Sequence, residues 1–389
     1  MEETYAAMNK QLTLISPPSF SSDDDSLPIL PFDLIEEILC RLPVKLLLQL
    51  RCVCNSWNSL ISHPKFSKKH LRMSTTCRIH RIRRNHGRSK FLLKSYTLHS
   101  VFTDDVTTDV MHLSFPSTSF YLPSIVASCN GILCIADLYQ TSSIHVLLWN
   151  PSIRKFKELP LLEKAIGHVI NLTSGFGFGY DSSTDNYKVV VVLGYTVLDN
   201  NLNYVNKTDM MVHTLGTNFW KSIQECPFGD VCTKQYVIFV SGTINWLTSI
   251  DKYRQSALFI VSFDLEKEFC RKVLPPDDEG VDVSNLTLGV LRDFLCIISG
   301  NDVWVMKEYG IQESWTKLFT LSNMQDPSKS YMLFKVLYTF EDDKVLLQCI
   351  GNGKWILVVY DLINGTFKLT KFECNFLEVC VESLISPCF

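Results

Sequence analysis

From about residue 91 onward the chain repeats one arrangement: a strand, a tight turn, a second strand, a longer connection, a third strand, a turn and a fourth strand. The strands read as continuous or alternating runs of β-branched and aromatic residues, punctuated by Gly, Asn, Asp and Ser. IVAS-CNG-ILCIA, HVLLWNPS and KFKELP make one unit, and FGFGYDSSTDNYKVVVV, MMVHTLG and NFWKSI the next. YVIFV-SG-TINWL, LFIVSFDLE and EFCRKVLP follow, then LTLGVLRDFLCII, DVWVMKEY and SWTKLFT, then LFKVLYTFEDDKVLLQ, ILVVYDLING and TFKLTKF. Taking the start of the second strand as a marker (Ile132, Lys188, Thr243, Phe294, Lys344), the intervals are 56, 55, 51 and 50 residues. A four-stranded unit cannot bury its apolar faces alone, so such a repeat constrains the whole domain.

The period is close to the roughly 50 residues of a kelch-type blade, and the inferred fold is an all-β propeller with degenerate repeats. SKFLLKSYTLHSVF and VMHLSF before the first unit and LEVCVESL after the last are expected to make a sixth blade, closing the ring with strands from both ends. Gly175, Gly177 and Gly179 superficially match a nucleotide-binding loop, but that loop needs a following helix, and here a polar turn leads into KVVVV. With Phe176, Phe178 and Tyr180 on one face and glycines on the other, this is a strand lying close against a neighbour.

Ahead of the repeats the character differs. Residues 1–27 (SPPSFSSDDDS within them) have few bulky apolar groups and are expected to form a disordered tail. Residues 28–73 are helical. Asp33 with Glu36 reads as a capping box, and Leu34, Ile35, Ile38, Leu39 and Leu42 then share one face until Pro43 ends the helix. A second helix runs through Leu46, Leu47 and Leu50 toward Val53, and a third from Asn55 through Trp57, Leu60 and Ile61 until His63-Pro64 stops it. So small a module carries more large aliphatics than it can hide, so some must face a partner.

The net charge of −3 provides no global field for a phosphate backbone. No stretch reaches the roughly 20 apolar residues of a membrane span, and the N-terminus lacks a basic-then-apolar signal segment, so the expectation is a cytoplasmic or nuclear protein. The 14 cysteines are scattered through apolar runs and read as reduced core residues. The basic run Arg78 to Lys90 is taken as a solvated linker over residues 74–90, with nuclear targeting or nucleic-acid binding as the alternative. Cys52 and Cys54 with His63 or His70 do not match zinc spacing. No catalytic, metal or cofactor site stands out; Asp277, Asp278 and Glu279 fall in an exposed loop after Pro275-Pro276, and Trp246, Trp304 and Trp355 recur at blade spacing as core residues or as the wall of a sugar pocket.

Leu30-Pro31, Asp33-Leu34-Ile35, Glu37-Ile38-Leu39, Arg41-Leu42-Pro43-Val44-Lys45, Arg51-Cys52-Val53-Cys54, Ser56-Trp57 and Leu60-Ile61 together resemble the F-box of plant F-box proteins. Asn150-Pro151-Ser152 with Arg154-Lys155 and Leu159-Pro160, and Gly175 to Asp181 followed by Asp185 and Tyr187-Lys188-Val189, resemble the F-box-associated, kelch-like domain of the same family, here residues 91–389. The kelch diglycine is absent. The resemblance implies a non-catalytic substrate-recognition subunit of an SCF-type cullin-RING ubiquitin ligase, bound to a Skp-type adaptor and through it to cullin and RING subunits. By carry-over, Leu30, Pro31, Leu34, Ile35, Ile38, Leu42, Pro43, Val44 and Leu47 would face the adaptor, and Val53, Cys54, Trp57, Leu60 and Ile61 would hold the helices together. The propeller would capture a target protein, with no membrane or nucleic-acid partner expected. The alternatives are a receptor that acts without ubiquitination and a carbohydrate-binding or hydrolytic propeller.

Overall fold

A computed structural model describes residues 30–84, 91–103, 110–137, 143–163, 170–198, 203–223, 237–249, 258–283, 286–320, 331–340, 342–351, 353–373 and 377–388. The expected N-terminal tail lies outside these. The chain falls into two compact units, Met1–Leu39 and Cys40–Phe389.

In the first unit the described residues form helix α1 (Phe32–Leu39). Its first turn starts from the Pro31 carbonyl, which accepts from Leu34 N and Ile35 N at 3.0 and 3.2 Å. Asp33 therefore sits inside the first turn rather than at the cap, where its charge still suits the helix dipole. The second unit opens with α2 (Val44–Leu50), α3 (Asn55–Ser62) and α4 (Pro64–Met73). Cys54, with extended backbone, occupies the cap position expected for Asn55. His63-Pro64 ends α3 as expected but also begins α4, because proline at the first helical position forgoes no hydrogen bond. His63 caps that helix through Nδ1, which accepts from Lys65 N at 3.2 Å.

Six four-stranded antiparallel sheets follow. Strands β1 (Cys77–Arg84), β2 (Phe91–Thr97) and β3 (Met111–Ser114) belong to blade 1, with helix α5 (Leu98–Thr103) between β2 and β3. Blade 2 contains β4 (Pro123–Cys129), β5 (Ile132–Asp137), β7 (Val146–Asn150) and β8 (Lys155–Glu158), and its connections pair as a ribbon of β6 (Ser143–Ile144) and β9 (Leu162–Glu163). Blade 3 is β10 (Ile170–Asp181), β11 (Asn186–Leu198), β12 (Tyr204–Thr214) and β13 (Lys221–Ile223). Blade 4 is β14 (Ile238–Val240), β15 (Thr243–Ser249), β16 (Leu258–Asp264) and β17 (Phe269–Val273). Blade 5 is β18 (Leu286–Leu291), β19 (Phe294–Ser299), β20 (Asp302–Met306) and β21 (Trp315–Thr320). Blade 6 is β22 (Tyr331–Thr339), β23 (Lys344–Gly351), β24 (Lys354–Asp361) and β25 (Thr366–Glu373). The last strand, β26 (Glu378–Val381), pairs with β1 and becomes the innermost strand of blade 1. The first strands β4, β10, β14, β18 and β22 of blades 2 to 6 and the closing β26 are neighbours around a ring, so chain ends clasp blade 1 as the leftover segments suggested.

One expectation is corrected here. Residues 74–90 are not simply a linker, since Cys77–Arg84 is a blade strand. Its side chains alternate: Ile79 is buried toward blade 6, while Arg78 and His80 are buried on the opposite side. Arg78 Nε donates to Ser95 Oγ at 2.7 Å, and its guanidinium lies 3.7 Å from Glu382. A buried arginine so partnered is invisible to a rule that reads charge as surface.

Six apolar clusters form the seams between successive blades. This explains the unbroken KVVVV run, in which Val189 and Val191 enter the seam with blade 2 while Val190 and Val192 enter the seam with blade 4. The glycine strand completes the pattern. Phe176 and Phe178 fill the blade 2 seam, and a Cβ at Gly177 or Gly179 would come within 2.4 Å of Ile244 or 2.3 Å of Phe239. Buried Cys129 and Cys296 have thiols pushed up to about 12 by burial, so they pack rather than react. Cys270 departs from the all-reduced reading: it is disulfide-bonded.

Candidate docking surfaces

Helix α1 taken alone presents an apolar face. Leu30, Leu34 and Ile38 are about half exposed (52%, 50% and 50%), Phe32 and Pro31 are exposed beside them, and Ile35 is half-buried. In the helices of the second unit, Pro43 and Leu46 are exposed and Leu42 is half-buried. Two expected contact residues, Val44 and Leu47, are instead core, at 2% and 0% exposure. Conversely Val53 (61% exposed) and Cys54, expected to hold the helices together, lie on the surface. Trp57 and Leu60 are half-buried and Ile61 is fully buried. α2 ends at Leu50, so Val53 falls in the turn over residues 51–53, outside the helical period. Phe32 and Leu46 are surface residues that the sequence reading did not count.

Helix α4 ties the helices of the second unit to the propeller. Lys68 forms an ion pair with Asp185 in the turn between β10 and β11, and Leu71 packs against the seam of blades 2 and 3. Ser74 Oγ donates to Glu382 O at 3.0 Å, and Glu382 N donates to Thr76 O at 2.8 Å. His70 is buried against Phe66, and its Nε2 pairs with Leu42 O at 2.9 Å.

All of these contacts lie on one face of the ring, where the tight turns between first and second strands and between third and fourth strands gather. The C-terminal residues run across the same face. Asn150 Nδ2 donates to Ile385 O and Ser383 O at 2.8 and 3.0 Å, and Ser383 Oγ donates to Asn130 O at 2.8 Å. The opposite face carries the connections between second and third strands and between blades, among the described residues 115–122, 159–163 and 274–283. There the buried Asp137 carboxylate accepts from Tyr121 N at 2.6 Å and Leu122 N at 3.3 Å.

No sugar pocket assembles from the tryptophans: Trp246 and Trp304 are buried in different seams, and Trp355 packs in a third. Asp277, Asp278 and Glu279 are exposed, with Asp278 Oδ1 accepting from Gly280 N at 2.8 Å. Among the described residues no cluster of three His, Cys, Asp or Glu side chains has metal-site geometry. No described helix is long and apolar enough to cross a membrane.

Comparison with known families gives two matches, an F-box domain over residues 27–69 and an F-box associated beta propeller domain over residues 73–386. An F-box/kelch-repeat protein of Arabidopsis thaliana is 29% identical over 373 residues, covering 92% of this chain and 96% of its own length. F-box protein CPR1 of the same plant is 27% identical, with 92% and 89% covered, and F-box/WD-40 repeat-containing protein 1 is 28% identical, with 87% and 78% covered. Among solved structures, TolB from Acinetobacter baumannii aligns over 80% of this chain and 67% of its own at a TM-score of 0.41 and 11% identity. With both domains matched end to end, the chain belongs to the F-box proteins that carry an F-box associated beta propeller domain.

Proposed function

We propose that this protein is the substrate-recognition subunit of an SCF-type ubiquitin ligase, held by a Skp-type adaptor and, through it, by cullin and RING subunits. The observation that carries the reading is the half-exposed pair Leu34 and Ile38 on a formed helix, with half-exposed Leu30 just ahead of it. A folded helix gains nothing by leaving large aliphatics in water. Burying the remaining surface of each against a partner is worth about 1 kcal/mol apiece before association costs. Leu46 and Val53 add to the adaptor surface in this reading, and Val44 and Leu47 serve folding.

The target docks on the long-connection face of the propeller, because the turn face is occupied by α4 and by the C-terminal residues. The chain itself performs no chemistry: it raises the local concentration of target lysines near a charged partner enzyme. A pull-down with a Skp-type adaptor tests this. Leu34→Asp with Ile38→Asp is expected to abolish capture while leaving the thermal transition of the propeller unchanged, whereas Val53→Asp weakens capture only in part. Retention of full binding by the double variant would refute the proposed surface.

A further inference from the structure

The adaptor reading leaves the basic run unused. Strand β1 climbs from the turn face to the long-connection face and ends there at Arg83 and Arg84, both exposed. Between Cys77 and Thr103 the chain contains no Asp or Glu, although its overall charge is −3. Arg84 lies on the blade 2 side of the strand, the side of Ile82, which packs with Phe120 and Ile125.

An apolar ledge adjoins the end of β1. Arg84 pairs with Phe91, and the Phe91 ring meets Phe115 edge-on at 6.3 Å. Phe115 in turn packs edge-on against Phe120 at 5.5 Å and Trp149 at 6.0 Å. Phe120 is buried at 7% exposure, and the next residue, Tyr121, stands 75% exposed, followed by Leu122 at 39%. The hydrogen bonds from Tyr121 N and Leu122 N to Asp137 hold this backbone in place. A phenol ring displayed from a fixed backbone is ordered before any partner arrives, which lowers the entropy lost on docking. Tyrosine in such a setting is a residue type that carries interface energy.

We infer that Arg84, Tyr121 and Leu122 form the docking patch for an acidic segment of the target protein that also carries a large apolar side chain. The inference deepens the receptor reading and rests on it. Carboxylates of the segment meet the end of β1, and its apolar residue lies on Tyr121 and Leu122. A protein segment fits better than a nucleic acid, because the exposed Tyr121 and Leu122 suit an apolar side chain, whereas a phosphate backbone calls for a stripe of cations.

The test uses the full chain bound to its adaptor and a fluorescein-labelled peptide of glutamates flanking one leucine, followed by anisotropy. The intact protein is expected to bind it with an affinity that falls as salt rises. Arg84→Glu and Tyr121→Ala are each expected to weaken binding about tenfold, Arg84→Glu flattening the salt dependence as well. A lysine-for-glutamate peptide should not bind. Unchanged binding in both variants, no binding of the acidic peptide by the intact protein, or preference for a labelled single-stranded RNA would each overturn the inference. Adaptor capture, measured in the same samples, keeps these failures separate from failure of the receptor reading.

Discussion

Asn150 ends β7 with its side chain at 0% exposure. Its amide has two hydrogens to give, and the nearest acceptors are Ile385 O at 2.8 Å and Ser383 O at 3.0 Å, with Ser383 Oγ at 3.1 Å. Its carbonyl accepts from Ser152 N at 2.9 Å, which sets the turn into β8. One residue thus clips the C-terminal chain, just past β26, onto blade 2. In Asn150→Ala three hydrogen bonds go and two buried carbonyl oxygens lose a donor. At about 1 kcal/mol net for each bond the loss is about 3 kcal/mol. In a domain of this size that lowers the melting temperature by roughly 6–10 °C. Asn150→Asp is the sharper test, since it keeps size and the Ser152 contact but turns a carboxylate oxygen toward two carbonyl oxygens. It is expected to cost more than alanine, because a buried charge is left without a partner. Thermal and urea denaturation of both variants measure this, and a chain ending at Glu382 completes the comparison: without the acceptors, Asn150→Ala should change little. If Asn150→Asp proves as stable as the intact chain, or more stable than Asn150→Ala, the clip does not work as described.

Other consequences concern the blades themselves. His80 is fully buried, and burial, with Arg78 close by, lowers its pKa from 6.5 to about 3. The unfolded chain therefore takes up a proton that the folded one refuses, so stability is lost as pH falls from 6.5 toward 3, by roughly 4 kcal/mol at the extreme. The urea midpoint of His80→Gln should depend less steeply on pH across that window. Gly179→Ala drives a methyl group to 2.3 Å from Phe239 and 2.9 Å from Leu265, and denaturation should show a loss of about 1–3 kcal/mol. Lys188 Nζ sits 3.0 Å from both Asp181 and Glu268 at 4% exposure, so Lys188→Ala strands a buried carboxylate and should cost about 3–5 kcal/mol by the same assay. Burial opposes ionisation of Asp181, but bonds from Ser183, Thr184 and Lys188 outweigh it and hold the carboxyl below its usual range. Stability from this group is therefore present above about pH 4 and fades below it.

The repeat of four strands was legible in the sequence because every blade buries both faces of its middle strands, and an unbroken run such as KVVVV records that locally. The glycines at 177 and 179 were legible for the same reason: a missing side chain marks a close neighbour, here Ile244 and Phe239. Helical spacing likewise marked the apolar excess of residues 30–62. It did not tell Val44 and Leu47, which are core, from Leu34 and Ile38, which are surface, because a period defines a face and not what covers it. Nor did composition reveal β1, whose Arg78 is buried against Ser95 and Glu382. The role of Asn150 depends on Ser383 and Ile385, more than two hundred residues away, and the closing pair β1 and β26 is farther apart still. Local pattern decides which residues become strands and helices, since propensity and burial period act within a few residues. Ring closure, the clip at its seam, and the choice of which apolar face stays open depend on contacts between distant segments, and only the tertiary structure decides them.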